Sequence, residues 1–171
     1  INKIIGFNPH ITVKPYENKY INPDKLNSSE LNSVSNNLIS SNTSEAIVIN
    51  SNNSKGIILR GYKSNDFPKL SIINNKNFLG NKKNLKNDNI SIGKELSFIL
   101  DVEIGDNISL MSSSGIDTII GSLPKQKVFK VVSLFESGLV DFDTNVVFMN
   151  LDTLEEFSNL KNSDRNLEIY L

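Results

Sequence analysis

The chain has 171 residues, enough for one large domain or two small ones. A formal charge of −1 and a pI near 5.9 exclude a global basic field for nucleic acid, and the absence of cysteine excludes disulfides, Cys-ligated zinc, iron–sulfur clusters and thiol nucleophiles. No apolar run approaches the ~18 residues of a membrane-crossing helix, and the polar start at Ile1 lacks a signal-peptide core, so the chain reads as a piece cut from something larger.

Asn, Ser, Ile and Lys dominate, while Ala occurs once and Arg twice. This skew reads as nucleotide bias in the source, and it makes Asn27-Ser-Ser29 and Asn89-Ile-Ser91 chance glycosylation triplets. In chain order, residues 10–15 alternate and predict a strand that stops at Pro15. A polar connection leads to Pro23-Asp24, where Leu26, Leu31, Val34, Leu38 and Ile39 fall near one face of a predicted helix, capped by Ser28 or Ser29 with Glu30. Glu45–Asn50 and Lys55–Tyr62 then predict two strands about the turn Ser51-Asn-Asn-Ser54.

The middle is more irregular. Asp66-Phe-Pro68 opens it, and residues 79–88 form a polar surface run. Ile90–Ile92 predicts a short strand, and Gly93–Leu100 a short helix with Leu96, Ile99 and Leu100 turned inward. A turn at Gly105-Asp106 leads into a strand over Asn107–Met111. The last third predicts strands over Lys127–Phe135, Asn145–Asn150 and Asn166–Leu171. Between the latter two lies a helix over Asp152–Leu160 with Asp152 and Glu155 as a capping box.

The segment Met111–Phe129 is the most informative. A connection between strands normally takes a few residues; this one has about a dozen and carries Ile116, Ile119, Ile120 and Leu123 where a solvent loop would be polar. Gly121 permits a turn at the tip and Pro124 stiffens the return. Either the segment folds back and buries these side chains, or it is a projection that augments or clamps a partner.

Other chemistry is poorly supported. His10, the one histidine, has no evident acid partner and reads as structural. Asp141-Phe-Asp-Thr-Asn145 spaces oxygens like the start of a calcium loop, but Val146 stands where such a loop needs Gly and Asp152 where it needs Glu, so an acidic loop is expected. Gly115 and Gly121 lack a Gly-Lys-Ser/Thr ending, so there is no phosphate cradle, and Lys82, Lys83 and Lys86 read as a solvated face. Neither cofactor nor metal is expected.

Gly93-Lys-Glu-Leu96 followed by Ile104-Gly-Asp-Asn-Ile-Ser-Leu110 resembles a signature of MacB-type and FtsX-type permease extracytoplasmic domains. Thr118-Ile-Ile-Gly-Ser-Leu-Pro-Lys-Gln-Lys-Val-Phe129 resembles the matching segment of the lipoprotein-releasing permeases of the LolC, LolE and LolF type. The similarity covers most of the chain and is strongest across residues 90–157. It implies an α+β fold. An α/β Porter-like lobe would comprise residues 1–76 and 125–171, and a mostly β Sabre-like lobe residues 77–124. It further implies a Hook-like hairpin, residues 112–124, that recruits the soluble carrier LolA. Partner-binding positions would be Thr118, Ile119, Ile120, Gly121, Leu123 and Pro124, with polar pad positions at Gln126 and Lys127. A basic residue that precedes the Hook in the family has no equivalent, since Leu110, Met111 and Ser112 stand there. Loop length argues against LolE and leaves LolC or a hybrid LolF. The domain would lie on the periplasmic face of the bacterial inner membrane. Its partners would be LolA, the ATPase subunit LolD, a second permease subunit and lipoprotein substrates. It would perform no chemistry itself. The alternative is a MacB-like or FtsX-like domain with a different periplasmic partner.

Overall fold

A computed structural model describes residues 8–17, 19, 21, 37–51, 53–74, 76–119 and 121–171. The fold is α+β. In chain order it comprises β1 (Ile11–Val13), β2 (Asn37–Asn50), β3 (Asn53–Tyr62), β4 (Leu79–Gly80), β5 (Asn89–Gly93) and α1 (Lys94–Leu100). There follow β6 (Asn107–Thr118), β7 (Gly121–Phe135), α2 (Val140–Asn145), β8 (Val146–Asn150), α3 (Leu151–Ser158) and β9 (Asn166–Tyr170).

Neighbouring strands run β1-β9-β2-β3-β8-β5-β7-β4, and β6 pairs with both β2 and β7. The pairing therefore closes a ring: β2, β3, β8, β5, β7, β6 and back to β2. β2 carries two neighbours on one edge. Residues 37–41 pair with β9 and residues 46–49 with β6, while β3 runs along the other edge. Alternation decides what fills the ring. Val48, Leu59, Ile90, Ile92, Leu110, Phe129, Val131 and Val147 all point into it, and Leu96, Leu100, Leu154 and Phe157 of α1 and α3 join them. A second core lies outside the ring, where Phe67, Ile73, Leu85 and Phe142 cover Tyr62, Phe135 and Phe148. β8 serves both cores, Val147 and Met149 inward and Val146 and Phe148 outward, which is why its sequence is apolar without interruption.

Several expectations are corrected. Leu38 and Ile39, assigned to a helix by their spacing, are strand residues of β2; the rest of that expected helix lies outside the described residues. Residues 141–145 are helical, not loop. This short helix presses on Gly93, where an added Cβ would sit 1.9 Å from the Asp143 carbonyl oxygen. α3 is capped by Asn150, whose Oδ1 accepts from Asp152 N (3.0 Å) and Thr153 N (3.3 Å), so Asp152 is not the cap. Glu155 is engaged elsewhere, below. Ile99 of α1 is 46% exposed while Leu96 and Leu100 are buried, because a seven-residue helix against a sheet buries one narrow stripe. The polar run over 79–88 hides one anchor, the buried Leu85.

The two buried glutamates, Glu155 and Glu168, are each paired with an arginine. The Glu168 carboxylate on β9 accepts from Ser41 Oγ (2.7 Å), Arg60 Nη2 (3.0 Å), Tyr62 OH (3.0 Å) and Tyr170 OH (2.8 Å). It thus adds side-chain ties from β9 to β2, its backbone neighbour, and to β3, the strand beyond. Arg165 forks onto Glu155, Nε to Oε1 and Nη2 to Oε2, both at 2.7 Å, and Asn42 Nδ2 donates to the same carboxylate at 3.2 Å. Asn42 lies on β2 between its two pairings, so this pair fills the place where β9 and β6 diverge. Desolvation, reinforced by the Glu168 charge, raises the phenol pKa of Tyr62 well above its ordinary value and that of Tyr170 likewise.

Glu168→Gln is expected to destabilise the fold by about 3–5 kcal/mol in urea denaturation, because it leaves Arg60 buried without its counter-charge. A raised folded-state phenol pKa means that the fold favours the protonated form. That contribution is complete below the unfolded value of ~10 and is lost as pH rises through and beyond it. Urea midpoints measured against pH should therefore fall steeply above about pH 10. Tyr62→Phe should start lower at neutral pH and fall less steeply.

Candidate functional site

The long connection is not a loop. β6 and β7 stay paired from Asn107↔Lys130 to Thr118↔Gly121, leaving only residues 119 and 120 to join them. The register breaks once. Between Met111↔Gln126 and Gly115↔Pro124, β6 takes four steps and β7 two, a bulge of two extra residues on β6. Ser112 and Ser114 fill it, their hydroxyls 2.8 Å apart and Ser114 N donating to Ser112 Oγ at 3.1 Å. Ser112 is also the last residue of β6 paired with β2, through Ala46. Beyond it the two strands pair only with each other, as a ribbon leaving the ring. Gly115 lies against the partner strand so closely that a Cβ would meet Ser122 Oγ.

The root of the ribbon leans on α3. Lys125 Nζ donates to the Glu156 carbonyl at 2.9 Å, and Asn159 Nδ2, at the α3 C-cap, donates to the Gly115 carbonyl at 3.2 Å. At the tip, Ile119 is fully exposed, and a Cβ added at Gly121, at φ +121°, would point into open space. Two-residue hairpin turns favour Asn and Gly, whose backbones accept positive φ. In a chain rich in Asn, an Ile in such a turn is not explained by turn chemistry.

Strand alternation sorts the expected binding positions. Phe129 and Val131 of β7 point into the ring, so Leu123, Lys125 and Lys127 share that face, while Pro124, Gln126 and Val128 share the opposite one. Lys127 pairs with Asp88 at 2.7 Å and lies over the Phe129 ring, while Gln126 Nε2 donates to Ser109 Oγ at 2.8 Å. The two pad positions therefore face opposite ways. Leu123 is half-exposed and Pro124 exposed. Thr118 is placed as a strand residue, and Ile120 lies outside the described residues.

A feature that sequence reasoning missed adjoins the root. Ile47 of β2, Ile58 of β3 and Met111 of β6 line an open groove of about 460 Å³ on the outside of the ring. Strand periodicity alone does not say which face of β2 and β3 is buried, and ring closure turns Ile47 and Ile58 outward at 40% and 41% exposure. The other candidates have structural roles. His10 Nδ1 accepts from Leu171 N at 3.1 Å. Both Asp143 oxygens accept from Ser137 N, at 2.9 and 3.0 Å. Lys82 Nζ donates to Asn74 and lies over Phe78.

No protein-family model matches the chain. In sequence, it is 32% identical over 101 residues to the lipoprotein-releasing system transmembrane protein LolC of Xylella fastidiosa, with the same figures for two strains. The match takes in 58% of this chain and 24% of that protein, so the chain spans about a quarter of the relatives it matches. In structure, it superposes on the extracellular domain of the noncanonical ABC-type transporter YknZ from Gram-positive bacteria. The TM-score is 0.52 at 12% identity, covering 93% of this chain and 83% of that one. It superposes equally on the periplasmic region of MacB from Actinobacillus actinomycetemcomitans, with TM-score 0.52 at 11% identity, covering 96% and 72%. The chain thus has the extracytoplasmic-domain fold of MacB-like ABC permeases and is related in sequence to the LolC-type lipoprotein-releasing permeases.

Proposed function

We propose that this chain is the periplasmic domain of an inner-membrane lipoprotein-releasing ABC permease, of LolC or hybrid LolF type. Its β6–β7 ribbon, in this reading, docks the soluble carrier LolA. The observation that carries the reading is the ribbon itself: a paired, braced projection that ends on a fully exposed isoleucine, Ile119. A large apolar side chain held in water at the end of a rigid arm costs solubility unless a partner covers it. Bracing by Lys125 and Asn159 reduces the ordering entropy that docking would otherwise cost. The domain performs no chemistry, ATP hydrolysis belonging to a LolD-type subunit beside a second permease subunit. Residues 1–76 with 125–171 would act as the Porter-like lobe and residues 77–124 as the Sabre-like lobe. The second reading is a MacB-like or FtsX-like domain with another periplasmic partner; it is favoured by the fold, which YknZ and MacB share at 11–12% identity.

Two variants separate contact from presentation. Ile119→Asp is expected to weaken binding of the cognate carrier by a factor of ten or more in titration calorimetry, since burying such a side chain is worth about 1.5–3 kcal/mol. The fold should be unchanged, as Ile119 makes no packing contribution. Carrier affinity equal to that of the parent would overturn the docking assignment. Asn159→Gly keeps the left-handed cap at φ 53° but removes the bond to Gly115. Hydrogen exchange of ribbon amides should accelerate, with global stability changed by less than about 1 kcal/mol.

A further inference from the structure

A second exposed apolar surface lies at the opposite end of β7. From Leu123 in the ribbon to Leu134 is eleven residues of one continuous strand, about 36 Å at ~3.3 Å per residue. There, Leu79, Phe98, Val102, Ile104 and Leu134 line an open groove of about 470 Å³. Phe98 is 67% exposed, Leu79 51% and Ile104 44%, and Ile99 stands beside Phe98 on α1. Core packing does not explain these side chains, because α1 already buries Leu96 and Leu100 on its other face. Contiguous exposed apolar surface of this kind marks a contact site.

The charge around it is one-sided. Asp101 and Glu103 line the groove and make no ion pair among the described residues. The lining cation, Lys94, is held by Glu136 at 3.4 Å. Between Glu95 and Asp106 the sequence has four carboxylates and no basic residue. An apolar centre inside an acidic rim disfavours an anionic bilayer surface and a like-charged second copy of the same patch. It complements an apolar segment flanked by Lys or Arg.

We propose that the α1 groove docks an amphipathic protein segment with basic flanks, and that it is a contact separate from the ribbon. One small partner does not reach both ends of β7, so the domain has two independent handles. The site rests on α1 and the 101–104 turn and does not depend on what the ribbon binds.

The probe is a fluorescein-labelled 16-residue helical peptide with leucines along one face and lysines on both rims, with a twin carrying glutamate for lysine. Fluorescence anisotropy at low salt should show binding of the lysine peptide and at least tenfold weaker binding of its twin. Phe98→Asp and Ile104→Asp should each weaken it by tenfold or more, and Glu103→Lys by several-fold. Ile119→Asp should leave it unchanged. Phe98 and Ile104 are exposed, so both variants are expected to fold, with circular dichroism as the check. Equal binding of the two peptides, or indifference to both Asp variants, would overturn the proposal. So would loss of peptide binding in Ile119→Asp. Phe98-dependent binding to phosphatidylglycerol vesicles would replace the protein segment with a membrane, and Phe98-dependent dimerisation in sedimentation would replace it with a second copy.

Discussion

The four-residue ladder between β2 and β6, Ala46–Ile49 against Ser109–Ser112, holds the rest in place. Every other strand pair could exist in an open sheet. This one closes the sheet on itself, converts one face into an enclosed core, and leaves the other face of β2 and β6 as outer surface. Ile108 and Leu110 of β6 are buried on the enclosed face. It also sets where the ribbon begins. Met111 is the last residue of β6 paired on both sides, to Ile47 and to Gln126, and the bulge that follows turns the paired strands away from the ring. Removal of unpaired edges is a recurrent advantage of closed sheets. Here it leaves the ribbon with only its own two strands.

Closure costs β2 a clean edge, and buried charge repairs the gap. Between residues 41 and 46, β2 has lost β9 and not yet met β6, and the side chain of Asn42 there is buried in protein. Asn42, Glu155 and Arg165 meet at that point, and Glu168 gathers Ser41, Arg60 and two tyrosines just beside it. Both arginines of the chain are spent on these two carboxylates, while all other cations are lysines. In a sequence otherwise skewed toward Lys, that placement reflects geometry. At Glu155 the planar fork of Arg165 satisfies the buried carboxylate through two parallel bonds, which a compact ammonium does not; Arg60 gives Glu168 one.

Most strands were legible because alternation and β-branched runs are local signals. The β2–β3 hairpin, the α1 helix and the Gly105 turn could be placed from single windows of sequence. Ring closure could not, since nothing in Ala46–Ile49 announces a second partner sixty residues away. For the same reason the outward facing of Ile47 and Ile58 was not legible. Leu38 and Ile39 fit a helical spacing, and the pairing with Ile169 and Glu168 overrode it. At the ribbon, the apolar residues, the glycine and the polar positions Gln126 and Lys127 stood out, but not the face that each occupies. Period-two geometry separates any two neighbours in a strand. Asn150 both ends β8 and caps α3, a double role that the strand pattern alone does not show.

β7 runs unbroken for 15 residues, paired to β6 along the ribbon and to both β5 and β6 within the ring. A force applied to the tip along the ribbon axis therefore loads those pairs in shear, with many hydrogen bonds sharing it at once. The same force applied sideways would peel the bonds one at a time. The domain is consequently stiff to pushing and pulling and yielding to bending, the mechanical anisotropy of a strut. A displacement at one end of β7 along its axis arrives at the α1 end nearly undiminished.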